Sequence, residues 1–63
     1  MTNKQFVQSL FPKTSARKLY GGGWIISGDI DINWRRTDYN SPVKSWDAAA
    51  KIINKRILDK LES

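Results

Sequence analysis

The residues of this 63-residue chain whose types and spacing suit chemistry are few: the basic pairs Arg17-Lys18 and Arg35-Arg36, and the carboxylates Asp29 and Asp31. Tyr20 lies close to the first basic pair and Trp34 adjoins the second. Cations beside aromatic rings suit phosphate contact combined with stacking. Asp29 and Asp31 are two residues apart, so on a strand they share one face and present two hard oxygen ligands. Two carboxylates without further ligands hold a cation weakly, and no metal site is expected. The chain has no histidine and no cysteine. That removes imidazole bases, thiolate nucleophiles, disulfides and zinc sites with N or S ligands, and leaves general base chemistry to solvated carboxylates. Neither catalysis nor a cofactor is expected. Gly21-Gly22-Gly23 has the composition of a phosphate-cradling loop but not its context. Such a loop feeds a helix N-terminus, whereas here the β-type run WIIS follows, which reads as a hairpin turn.

Eleven basic residues against six acidic ones give a net charge of +5. The excess is uneven, because residues 1–27 contain Lys4, Lys13, Arg17 and Lys18 and no acid. Anionic partners, either nucleic acid or an acidic protein surface, are favoured by this balance, and solubility charge is its plainer explanation. No apolar run approaches a membrane span, and "MTNKQFVQSLF" lacks the continuous apolar core of a secretory leader. A soluble intracellular protein is expected. The lack of cysteine fits a reducing compartment.

Five elements are needed to position these residues. Thr2 and Gln5 form a capping box ahead of Phe6, Val7, Leu10 and Phe11 at helical spacing, which predicts a helix over 3–11 ended by Pro12. Strands are predicted over 15–20 and 23–27, with Trp24 and Ile26 contributing to a core. A third strand is predicted over 30–36, where Ile30, Ile32 and Trp34 alternate with Asp31, Asn33 and Arg35. Ser41 and Pro42 then open a helix over 42–61. Its apolar stripe is Val43, Trp46, Ala50, Ile53, Ile57 and Leu61. The expected fold is a single α+β domain over 1–63: a short N-terminal helix, a three-stranded antiparallel sheet, and a long C-terminal helix packed on one sheet face (αβββα). At about 1.5 Å per residue the last helix outreaches a sheet of short strands. Ile57, Leu58 and Leu61 would then overhang as a candidate homodimer or partner contact, fraying of the helix end being the alternative.

The segments "QFVQSLFPKTSARK", "WII" and "SPVKSWDAAAKI" together resemble small orphan proteins encoded by phages and prophages. These have a short helix, a tryptophan-bearing meander and a helix opening "SPxxxWxxAA". The resemblance spans nearly the whole chain. It implies a cytoplasmic accessory protein of a host cell that acts by binding, as a modulator or inhibitor of a host protein. The helix–three strands–helix order also looks like a double-stranded RNA-binding domain, although only Lys44 stands at the second helix start where that family has a lysine cluster. A further likeness of layout is to the arm-binding domains of phage integrases. The alternative expectation is therefore a nucleic-acid-binding module using Arg17, Lys18, Tyr20, Trp34, Arg35 and Arg36.

Overall fold

A computed structural model describes residues 2–62. In chain order it contains α1 (Asn3–Leu10), β1 (Ser15–Lys18), β2 (Trp24–Ser27), a 3-10 turn (Trp34–Thr37) and α2 (Pro42–Glu62). The architecture is α+β, with a two-stranded antiparallel sheet in place of the expected three strands.

α1 forms for the reason its sequence gives. Thr2 Oγ1 accepts the Gln5 amide at 3.1 Å, and Gln5 Oε1 accepts the Thr2 amide at 2.9 Å, so two otherwise unpaired donors satisfy each other's residue. Val7 is the residue α1 buries completely. β1 and β2 pair with Ala16 opposite Ile26 and Arg17 opposite Ile25. Gly21, Gly22 and Gly23 all hold positive φ, between 95° and 108°, in the turn that joins them. At Gly23 a Cβ would stand 2.6 Å from Asp38 Oδ1, which the exposed Asp38 side chain can relieve by moving, so φ is what asks for glycine there.

The expected strand over 30–36 does not form. Ile30 and Ile32 are half-buried against the core while Asp31 and Asn33 are exposed, so the alternation holds over 30–33 but fails at the exposed Trp34. It reports one-sided burial without a backbone partner, and among the described residues this segment pairs with no strand. The second edge of β2 is taken by residues further on. Tyr39 exchanges backbone hydrogen bonds with Trp24, at 2.7 and 3.1 Å, as an isolated bridge. Between them the buried Thr37 offers Oγ1 to the Ile26 amide at 2.9 Å and donates it to the Trp34 carbonyl at 2.7 Å. A hydroxyl thus substitutes for a strand carbonyl.

α2 packs on α1, on β2 and on the 3-10 turn. Ser45 is fully buried and donates to the Trp24 carbonyl at 2.7 Å, fixing the first turns of α2 to β2. The core consists of Val7, Ile26, Trp46, Ala49, Ala50 and Ile53, with Phe6, Phe11, Ala16, Ile30 and Ile32 around it. Two core expectations need correction. Val43 is 67% exposed, so the buried stripe begins at Trp46, and Trp24 is half-buried and lies outside the core cluster. A 21-residue helix is about 31 Å long. In a molecule measuring 40 × 19 × 19 Å, it runs beyond the elements that cover its first half.

Candidate docking surfaces

Two surfaces collect the residues singled out by type. The first is built on the hairpin. Leu19 donates its amide to Gly23 at 2.8 Å. The antiparallel alternation then makes Arg17–Ile25 and Ser15–Ser27 the directly bonded pairs. Arg17 therefore stands on the face opposite Ala16 and Ile26, away from the core, and both it and Lys18 are exposed. Tyr20 is fully exposed at the turn. On the other flank of β2, Asn33 opens the 3-10 turn by accepting the Arg35 amide at 3.1 Å and the Arg36 amide at 3.0 Å. Trp34 is 41% exposed, and the Arg35 guanidinium sits over its ring, 5.4 Å from the centroid. That cation–π contact occupies one ring face that a base would otherwise use. The first basic pair thus lies on β1, on one flank of β2, and the second lies in the 3-10 turn that packs against β2.

The second surface is a groove of about 550 Å³ between the end of α1 and the second half of α2. Leu10, Phe11, Ile32, Ile53 and Ile57 line it, with Arg56, Asp59 and Lys60 at its margin. The Arg56 guanidinium donates to the Asp31 carbonyl, which ties the 30–32 segment to α2 and closes one wall. Ile57, Leu58 and Leu61 are 41%, 56% and 77% exposed, so the apolar surface continues from the groove to the end of the helix. This is the overhang that helix length foretold.

Asp29 falls in a bend and Asp31 in irregular backbone, so neither is on a strand. Among the described residues no cluster of three or more metal-ligating side chains exists. No helix among them is long and apolar enough to cross a membrane. Sequence reasoning found Ile57, Leu58 and Leu61 but missed Leu10 and Ile32 as their neighbours, because it placed the first in a core stripe and the second on a strand. It also missed Thr37, whose position after two arginines carries no periodic signal. Asn33 was the available cue, since a side chain that bonds its own backbone two residues on favours a turn over a ladder. No family model, no characterised protein and no solved structure matches this chain.

Proposed function

We propose that this chain is a non-enzymatic accessory protein of the phage type that acts by docking on a host protein and modulating it. The observation that carries this reading is the groove and its continuation over Ile57, Leu58 and Leu61. A contiguous apolar surface of this kind on so small a molecule is what a partner would cover. The net charge of +5 favours a partner with an acidic surface and opposes a second copy, since two such copies repel. Immobilised chain exposed to a nuclease-treated bacterial lysate is expected to retain a partner protein. Ile57→Asp puts a charge into the groove at a position already 41% exposed and should weaken that capture at least about tenfold, or about 1.4 kcal/mol. Recovery of nothing above background would count against the reading.

A second reading is nucleic-acid binding, favoured by the placement of Arg17 and Lys18 on one flank of β2 and Trp34, Arg35 and Arg36 on the other, with Tyr20 at the turn. Its test is a salt titration against mixed duplex DNA and RNA. Binding at about 50 mM salt, with a salt slope reduced by roughly 2 in the Arg35→Ala/Arg36→Ala variant, would support it. Absence of binding at that salt would eliminate it.

A further inference from the structure

The outer edge of β1 is open, and the hydrogen-bond alternation of the hairpin says which groups it presents. Because Leu19–Gly23, Arg17–Ile25 and Ser15–Ser27 are the bonded pairs, the N–H and C=O groups of Ala16 and Lys18 point away from β2. Among the described residues, nothing outside the hairpin donates to or accepts from them. The open window is short. On its N-terminal side the Thr14 amide is bonded to Phe11 at 3.0 Å, and its carbonyl accepts Gln8 Nε2 at 3.1 Å. We infer that this edge takes an extended segment of a partner protein by strand addition, and that the segment carries two adjacent acidic residues. The inference rests on the protein-docking reading and names the part of the partner that would be recognised.

The charges choose the occupant. Arg17 and Lys18 are both exposed on this edge, with no acid anywhere in residues 1–27. A second copy pairing edge to edge would set Arg17 and Lys18 against their own kind, which is how natural sheets prevent such pairing. An acidic strand meets the reverse situation. Successive side chains of an added strand point to opposite faces, so one acid would lie across from Arg17 on the outer face and its neighbour across from Lys18 on the other. Main-chain bonds to Ala16 and Lys18 supply the register and the two cations supply the selectivity.

The test uses the capped hexapeptide Thr-Val-Glu-Glu-Val-Thr and its Gln-Gln counterpart, titrated into isotope-labelled chain and followed by amide NMR. With the acidic peptide, the Ala16 and Lys18 amides should shift and gain exchange protection, while the Arg17 amide, already bonded to Ile25, stays in place. The Gln-Gln peptide should bind roughly fivefold more weakly at low salt. Lys18→Pro deletes an outward-facing amide, a substitution an edge strand accommodates, so the hairpin should persist while peptide binding is lost. Lys18→Ala keeps the amide and should only weaken binding. Equal binding by the proline and alanine variants would overturn the inference, as would shifts confined to Ile57 and Leu61, self-association through this edge, or no shift at all. Shifts at Ile57 and Leu61 alone would leave the docking reading standing, and the lysate capture decides that reading separately.

Discussion

Trp46→Ala is expected to remove most of the chain's stability and bring it to the edge of unfolding at room temperature. Trp46 is 5% exposed and sits among Val7, Ile26, Ala49, Ala50 and Ile53. Its neighbours on α2 are alanines, which lack the reach to collapse into the space an indole would vacate. Deleting a buried tryptophan side chain costs about 3–5 kcal/mol, through lost transfer energy together with the cavity left behind. A domain of this length has roughly 3–9 kcal/mol of stability in all, at the usual allotment per residue. Removal of this one side chain therefore consumes much or all of it. Trp34→Ala, at a position 41% exposed, is expected to shift stability by no more than about 1 kcal/mol. Urea unfolding followed by circular dichroism would separate the two variants. A midpoint for Trp46→Ala close to that of the parent would show that the core has been wrongly located.

Gly28→Ala is the second large effect, and its cause lies in the backbone. Gly28 has φ of 128°, which side-chain-bearing residues rarely adopt. A Cβ there would stand 2.5 Å from the Lys13 carbonyl oxygen and 2.9 Å from Thr14 Cα. Both are main-chain atoms, so no rotamer change relieves the clash. Thr14 is buried and its segment is held by the Gln8 and Phe11 bonds, so the strand entry itself would have to move. The strain alone is about 1–3 kcal/mol, and the displaced contacts add to it. Gly22→Ala is the internal control. Its φ is 101°, but a Cβ there meets nothing within 4 Å, so it bears the conformational strain without the collision. The expected order of stability is parent, then Gly22→Ala, then Gly28→Ala, read as urea midpoints. Equal midpoints for the two glycine variants would contradict the close packing of residues 28 and 13–14.

The helices were legible almost to the residue, since their signals are local. A capping box at Thr2 and Gln5, and Ser41-Pro42 ahead of a periodic stripe, depend on chemistry within one turn. The hairpin was legible because three glycines between apolar β-type runs leave few alternatives. The segment 30–36 was not, and Ile30 and Ile32 show why. A period of two reports which side chains face the core, whereas a strand also requires a neighbouring backbone in register. Here Thr37 and Tyr39 had already taken the edge of β2 that the segment would have used. That competition is settled by tertiary packing, in which a threonine hydroxyl serves two backbone groups at once. For the site, the overhang of Ile57, Leu58 and Leu61 followed from helix length alone. The groove beside it did not, because Leu10 and Ile32 come from elements whose relative placement the sequence leaves open.

Both surfaces share one physical logic. A short chain with a small core covers the first half of α2 with α1 and the hairpin, and the second half carries Ile57, Leu58 and Leu61 exposed beyond it. In the proposed reading, docking on a protein partner would cover that half, and the cations around β1 would select acidic surfaces. The most direct measurement is capture from a nuclease-treated lysate by three forms of the chain: the parent, Ile57→Asp, and Arg35→Ala/Arg36→Ala. The parent and the double-arginine variant are expected to retain the same partner protein and Ile57→Asp to lose it. Retention by Ile57→Asp, or capture that disappears on nuclease treatment, would contradict the account.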